Sequence, residues 1–290
     1  MCVNKEPWQE FCVEPPCGQL NPVNPHVYTT LGKLYQDFFE LFETDMFHMG
    51  GDEVNLNCWN STEEIQEALR RQGKTGTEEE LLELWKNFQD QAAEKVYAAA
   101  GKKLPLILWT NSLTEKGQVE KFLSNKEYII QIWTTGQDAN IKELIDKDFK
   151  VIFSNYDAWY FDCGYSSWVG EGNNWCSPYK GWQIVYENSP KEMYRSQGGD
   201  PARESLILGG EAAMWAEQVD GAAVIQKLWP RASALGERLW TDPGSSQTWK
   251  QAEIRMINHR NRLVERGIEA DALQPEWCNQ NEGLCYTKKN

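Results

Sequence analysis

An α/β fold built on a parallel sheet is what this sequence predicts, and three observations carry the prediction. Short apolar runs recur at residues 104–110 (LPLILWT), 128–134 (YIIQIWT) and 150–156 (KVIFSNY), and residues 206–217 (LILGGEAAMWAE) begin the same way. Between them lie stretches with helical spacing, and continuous apolar strands alternating with helices indicate parallel pairing covered on both faces. Tryptophan or carboxylate then stands at the C-terminal end of strand after strand: Asp52 with Glu53, Trp109, Trp133, Tyr160 with Asp162, and Trp215 with Glu217. In a (β/α)8 barrel that face carries the active site, because side chains from several strand ends converge there. Five such strands are counted where a barrel has eight, so the expectation is an incomplete (β/α)8 TIM barrel lacking roughly the first three strand-helix units.

Taken in order, residues 1–26 carry Pro7, Pro15, Pro16, Pro22 and Pro25 with three cysteines, which predicts an extended, disulfide-pinned loop without regular elements. Residues 28–43 place Leu31, Leu34, Tyr35, Phe38, Phe39 and Phe42 at helical spacing, so a helix with one buried face is expected. It delivers the chain to residues 47–54 (FHMGGDEV). Neighbouring side chains of a regular strand point to opposite faces, so Asp52 and Glu53 serve one pocket only if the strand ends before them. Gly50 and Gly51 permit that ending at Met49, with both acids at the strand's mouth. Paired acids there suit acid/base chemistry; a strand end followed by a solvated acidic turn fits the spacing equally.

A short helix is expected over residues 62–72, and Thr77 with Glu80 forms a capping-box signature opening a long helix that Gly101 closes. Further helices are expected at 119–123, 141–147, 221–239 with an interruption near Pro230, and 246–266 closed by Gly267. Residues 157–183 differ, holding Trp159, Tyr160, Trp168, Trp175 and Trp182 among glycines and two cysteines; a strand-to-helix loop of this length is usually functional. The domain organisation expected is an N-terminal loop at 1–26, a partial-barrel catalytic domain at 27–267 and a disulfide tail at 268–290.

Charge and composition exclude some functions. Forty-three acidic against twenty-nine basic residues give a net charge of −14, which disfavours a nucleic-acid partner. Fourteen tryptophans exceed what a core of 290 residues requires, and indole faces suit amphipathic ligands such as sugar rings. Eight cysteines form an even set. Cys12 lies near Cys17, Cys163 near Cys176 and Cys278 near Cys285, which leaves Cys2 and Cys58 as the long-range pair, although eight cysteines allow 105 connectivities. Disulfides imply an oxidising compartment, and Asn60-Ser61-Thr62 is a glycosylation sequon that agrees with it. The first residues have no apolar leader segment and no stretch approaches a membrane span, so a removed signal or an incomplete chain is expected.

Together HMGGDE, LPLILWT, YIIQIWT, NYDAWYFDCG and GGEAAMWAE resemble glycoside hydrolase family 20, the β-N-acetylhexosaminidases, over nearly the whole chain. Aromatic positions at 157–183 look most like the insect chitinolytic and N-glycan-processing members. The resemblance implies removal of terminal non-reducing β-linked N-acetylhexosamine by a retaining, substrate-assisted mechanism, in which the substrate's own acetamido oxygen attacks C1. Glu53 matches the general acid/base, and Asp52 the residue that orients the acetamido group and stabilises its growing positive charge. Tyr160 resembles the phenol that hydrogen-bonds the acetamido oxygen. Trp109, Trp133 and Trp215 resemble indole walls, Asp162 and Glu217 resemble acceptors for sugar hydroxyls, and Trp175 and Trp168 resemble stacking platforms for the next sugar. His48 resembles a supporting histidine behind the acids. Asp52 should stay ionised while Glu53 holds a proton, so their environments should push the two apart.

The same residues have plainer readings: a strand-end tryptophan is often core, and His48 suits a satisfied core histidine. A metal site of His48, Asp52 and Glu53 fits by residue type, yet no second cluster completes it, and neither metal nor cofactor is implied. The partner implied is an oligosaccharide, with a homodimer as a possible assembly and a secreted or lysosomal address. Complete members carry a sugar-holding arginine on the early strands and an N-terminal α/β domain, neither of which this chain is expected to contain. A truncated, non-catalytic relative with a residual sugar-binding or subunit-contact role is therefore the alternative.

Overall fold

A computed structural model describes residues 1–165, 167–170, 172–244, 247–281 and 284–285. These fall into two compact units, Met1–Phe153 with Tyr194–Gly209, and Ser154–Met193 with Gly210–Asn290.

The first unit is an α/β layer structure. Helix α1 (Pro25–Leu41) begins three residues before the position expected from hydrophobic spacing, because Asn24 accepts from the His26 amide and Pro25 occupies the first helical position. Strand β1 (Phe47–His48) follows, then α2 (Leu56–Asn60), which Asn55 caps by accepting from the Cys58 amide. Next come α3 (Glu63–Arg71) and α4 (Glu78–Ala100); the latter carries the Thr77–Glu80 capping box and ends on left-handed Gly101. Strand β2 (Leu106–Trp109), α5 (Val119–Phe122), β3 (Tyr128–Ile132), α6 (Asn140–Asp146), β4 (Lys150–Phe153) and β5 (Ile207–Gly210) complete it. The sheet order is β1-β2-β3-β4-β5, with Phe47 opposite Leu106, Leu106 opposite Tyr128, and Ile129 opposite Lys150 in parallel register.

This order keeps the C-terminal ends of successive strands side by side, which is what gathers the strand-end residues of β1, β2 and β3. Leu106, Leu108, Ile130, Val151 and Phe153 are fully buried, and Trp85, Ile141, Leu144 and Ile145 on the helices share their core status. Helix α1 rests on α4. Its expected apolar face is only partly covered: Phe38 and Phe39 cluster on Phe47 at 5.0 and 5.6 Å, whereas Leu34 and Phe42 remain 56% exposed. Helical spacing predicts which side chains share a face; the neighbours that cover that face lie elsewhere in the chain.

The N-terminal segment contains one short 3-10 helix, Trp8–Glu10, where no regular element was expected. Cys2 pairs with Cys58 and Cys12 with Cys17. The Cys2–Cys58 link spans 56 residues, and closing a loop of that length in the unfolded chain contributes about 4 kcal/mol on the chain-entropy estimate.

In the second unit, residues 154–156 do not extend β4 as the apolar run suggested. Asn155 instead precedes a helical turn, α7 (Tyr156–Trp159). Helices α8 (Trp182–Glu187), α9 (Pro190–Ser196), α10 (Val224–Leu228), α11 (Arg231–Thr241), α12 (Trp249–Glu265) and α13 (Glu276–Gln280) follow, α9 running across the boundary between the units. The interruption near Pro230 separates α10 from α11. Ser246, the expected start of the last long helix, lies outside the described residues. Cys163 pairs with Cys176 and Cys278 with Cys285. Among the described residues no helix is long and apolar enough to cross a membrane.

The glycine pair after β1 gives the sharpest stability contrast. Gly51 has φ +78° and a Cβ there would stand 2.8 Å from Leu108 Cδ2, whereas a Cβ on Gly50, at φ +68°, meets only Asp52 Oδ1 at 3.8 Å. Gly51→Ala is expected to cost about 2–4 kcal/mol in urea unfolding and Gly50→Ala about 1 kcal/mol. Equal losses would show that the close approach to β2 does not constrain the turn.

Candidate active site

The acids sit on a turn that the chain can make only through left-handed backbone. Past His48, strand pairing continues for a few residues: the Met49 amide donates to the Ile107 carbonyl at 2.9 Å, and the Trp109 amide to the Gly50 carbonyl at 3.0 Å. Gly50 and Gly51 then take positive φ, and Glu53 does so as well, at +53°. A left-handed non-glycine residue is strained, and such residues concentrate at functional sites. Asn111 Nδ2 donates to the Gly51 carbonyl at 2.7 Å and the Trp109 carbonyl at 2.9 Å, tying the turn to the end of β2.

His48 pins the same turn from behind. The Gly50 amide donates to its Nδ1 at 2.9 Å, so the neutral ring carries its proton on Nε2, which donates to Gln131 Oε1 at 3.0 Å. The ring lies 5.1 Å from the Trp109 indole. A histidine engaged on both nitrogens orients its neighbours.

Trp133 is held by its Nε1–H, which donates to the Thr110 carbonyl at 2.8 Å. Beside it opens a cavity of about 520 Å³, within the size range of small-ligand sites, whose lining includes Glu53, Trp133, Asn111, Thr114, Lys116 and Asp138. Asp52 is exposed by accessible surface, yet crowding by protein pushes its carboxyl above the ordinary 3.8, an effect that water at its open side tempers. A hydrogen bond from its own backbone acts against that rise. The first unit thus gathers Asp52, Glu53, His48, Trp109 and Trp133.

The second unit gathers its own set. A parallel bridge joins Tyr160 to Ala213, with the Phe161 amide donating to the Ala213 carbonyl at 2.7 Å and the Ala213 amide to the Trp159 carbonyl at 2.9 Å. Tyr160 therefore meets Trp215 edge-on at 5.9 Å and Trp175 edge-on at 6.3 Å. The Tyr160 ring is buried, while both indoles are exposed enough to meet a ligand. The Trp215 amide donates to Asp162 Oδ1 at 3.4 Å. The Cys163–Cys176 disulfide and the bond from Asn174 Nδ2 to Gln218 Oε1 at 2.9 Å shape the loop that presents Trp175.

Glu217 lies two residues beyond Trp215, exposed, and its charge reaches Asp162. Trp168 is half-buried near the Ser167–Asn173 bridge and makes no ring contact with Tyr160, Trp175 or Trp215 among the described residues. Among the described residues the grouping with metal-ligand geometry is Asp162, Cys163 and Cys176, and the two sulfurs are bonded to each other, so no ion is held there. Sequence reasoning missed Asn111, Gln131 and Arg231. Gln131 left a signal, a lone amide inside YIIQIWT, but Asn111 and Arg231 left none.

Asp162 is only 4% exposed. Burial pushes its carboxyl above 3.8 and the charge of Glu217 adds to this, against the backbone donors and Arg231. The folded chain then holds a proton at Asp162 more readily than the unfolded chain, so ionising it costs stability as pH rises above 3.8. Asp162→Asn is expected to raise the melting temperature at pH 7, with the gain fading as pH falls towards 3.8. A variant that melts below the parent at pH 7 would contradict this.

A family model described as glycosyl hydrolase family 20, catalytic domain, matches residues 1–243. The chain is 53% identical over 99% of its length to a chitooligosaccharidolytic β-N-acetylglucosaminidase of Ostrinia furnacalis, covering 47% of that protein. It is 54% identical over the same shares to the Bombyx mori protein of that name, and 40% identical, over 98% of the chain and 41% of the relative, to a probable β-hexosaminidase of Drosophila melanogaster. The chain thus spans about half the length of these relatives. Among solved structures, a family 20 exo-β-N-acetylglucosaminidase from Vibrio harveyi, in complex with N-acetylglucosamine, superposes with a TM-score of 0.71 at 21% identity, over 90% of this chain and 38% of that one. Motif, fold and sequence identity agree, and the chain belongs to glycosyl hydrolase family 20, within its catalytic domain.

Proposed function

We propose that this chain takes part in hydrolysing terminal, non-reducing β-linked N-acetylhexosamine from chitooligosaccharides or glycans. The observation that carries the reading is the turn after β1, where two glycines and a strained Glu53 follow the strand and Glu53 lines, with Trp133, a cavity large enough for a sugar. Identity to insect relatives named as chitooligosaccharidolytic supports chitin fragments as the substrate class.

The reaction divides among the residues as follows. Glu53 protonates the leaving glycosidic oxygen and later removes a proton from the attacking water. The acetamido oxygen of the substrate attacks C1 to form an oxazolinium, so no enzyme nucleophile is needed. Asp52 orients that acetamido group and, ionised, offsets the positive charge that develops on it. Because crowding raises its carboxyl, Asp52 is most effective with a cationic substrate group beside it, which favours its charged form. Tyr160 donates to the acetamido oxygen, and Trp109, Trp133 and Trp215 enclose the acetyl methyl and sugar face. Asp162 and Glu217 accept from sugar hydroxyls, Trp175 stacks on the following sugar with Trp168 beyond it, and His48 holds the turn.

The fold that suits this reading is an incomplete (β/α)8 barrel at residues 27–267, between the N-terminal loop at 1–26 and the tail at 268–290. Four disulfides support a secreted or lysosomal address, with Asn60 as a glycan acceptor. A homodimer belongs to the same reading, and sedimentation velocity distinguishes it from a monomer. One observation favours a second reading: Tyr160, Trp175 and Trp215 form an aromatic set that needs neither acid to hold a sugar, which suits a sugar-binding or subunit-contact role without turnover.

Hydrolysis of 4-nitrophenyl N-acetyl-β-D-glucosaminide by the purified chain, beside Glu53→Gln, tests both. The expected result is turnover above buffer that falls by on the order of 10²–10⁴ in the variant. A variant as active as the parent would overturn the role of Glu53. Binding of N-acetylglucosamine without turnover would favour the second reading.

A further inference from the structure

Arg231 is a buried guanidinium whose position the mechanism above leaves unexplained. It stands on α11 at 2% exposure. Its Nη2 donates to the Phe161 carbonyl at 2.6 Å, its Nη1 to the Lys180 carbonyl at 3.0 Å and its Nε to the Lys227 carbonyl at 3.0 Å. The rings of Phe161 and Tyr179 lie 4.6 and 4.8 Å from its central carbon, with Tyr165 at 5.8 Å. The three carbonyls belong to separate segments: the end of α10, the residues before α8, and the link between Tyr160 and Asp162. Only a planar fork with several fixed donors spans them at once.

Among the described residues no carboxylate lies within 4.0 Å of this cation, and every acceptor it contacts is neutral. A buried ion without a paired carboxylate is a poor stabiliser compared with an apolar side chain of similar volume. Its placement is explained by what it holds. Phe161 has its amide bonded to Ala213 and its carbonyl to Arg231, so the main chain between the phenol and the acid is fixed on both sides.

We infer that Arg231 is a positioning residue: it fixes the main chain joining Tyr160 to Asp162 and with it the place and surroundings of the Asp162 carboxylate. The inference rests on the reading of Asp162 as an acceptor for sugar hydroxyls. Burial raises the Asp162 carboxyl and Arg231 acts against that rise, while Glu217 acts with it. The other charged or titratable groups around Arg231 are Tyr165, Tyr179 and Asp271. Lys227 sends its ammonium to the Gln218 carbonyl at 3.1 Å and over Tyr165 at 4.1 Å. The Lys180 ammonium is held down by its own burial, with Asp157 opposing.

Arg238 supplies the comparison. It lies seven residues on along α11, 4% exposed, and also donates to backbone carbonyls, those of Tyr186 and Pro243, both at 2.6 Å. Unlike Arg231 it has a carboxylate beside it, Asp242 at 3.9 Å, and its carbonyl partners lie away from Phe161, so it controls for the general loss of a buried, carbonyl-bonded arginine on this helix.

The test uses the full chain labelled with carboxyl-¹³C aspartate, with the Asp162 resonance assigned through Asp162→Asn. In Arg231→Gln the Asp162 titration midpoint is expected to move up and binding of N-acetylglucosamine, read by indole fluorescence, to weaken by about tenfold. Arg238→Gln is expected to lower the melting temperature while leaving that midpoint in place. An unchanged midpoint in Arg231→Gln, or an equal shift in Arg238→Gln, would overturn the inference. If Arg231→Gln does not fold, Arg231→Lys decides through amide exchange. An ammonium cannot bridge the same carbonyls, so exchange at Phe161 is expected to quicken by about tenfold, and unchanged exchange overturns the inference. Asp162→Asn that binds sugar like the parent would remove the hydroxyl-acceptor reading and leave the Arg231 titration result standing.

Discussion

Everything proposed for the first unit depends on how the backbone leaves β1. A strand that simply continued would send Asp52 and Glu53 to opposite faces. Three left-handed residues, Gly50, Gly51 and Glu53, turn the chain instead, and each free end of that turn is tied down: the Gly50 amide to His48, the Gly50 carbonyl to the Trp109 amide, and the Gly51 carbonyl to Asn111. The ties come from β1 and the end of β2, so the parallel pairing of those two strands is what makes the turn possible. Gln131 on β3 then fixes the His48 ring, which extends the dependence one strand further.

The second unit meets a different constraint, because its polar residues are buried deeply. Asp162 is buried against the preference of its charged form, and Arg231 against the preference of its own. Replacing either with an apolar residue would spare the desolvation cost, so their presence is a trade of stability for a defined arrangement. The bridge from Tyr160 to Ala213 and the Cys163–Cys176 link supply rigidity around them. Rigid surroundings let an exposed indole such as Trp175 or Trp215 keep one face open without collapsing onto its neighbours.

Elements whose signals are local were legible in the sequence. The Thr77–Glu80 box and Gly101 marked both ends of α4, and the apolar runs marked β2, β3 and β4 and their parallel pairing. Proximity along the chain marked three of the cysteine pairs and left Cys2 and Cys58, 56 residues apart, as the remainder. What escaped depended on partners distant in sequence or on competing local signals. The cap at Asn24 moved the start of α1, and the tail of an apolar run turned into α7, whose Ala158 and Trp159 amides donate to the Asn155 carbonyl. The open face of α1 could not be foreseen from spacing, since spacing says nothing of what covers a face. Asn111 and Arg231 act through backbone carbonyls, and an acceptor of that kind leaves no mark in the sequence of either partner. The strand-end acids and indoles were legible as positions, while the direction in which crowding moves Asp52 was not.

The pinned turn makes one directly observable demand on His48: with its Nδ1 accepting from the Gly50 amide, the proton must sit on Nε2. Long-range ¹H–¹⁵N correlation spectroscopy of the ¹⁵N-labelled chain at pH 7 reads the tautomer of each histidine. The expected spectrum shows His48 neutral and protonated on Nε2, with a deprotonated Nδ1. A His48 protonated on Nδ1, or a charged imidazolium, would mean that the Gly50 amide is not held and that the acids are not presented as described.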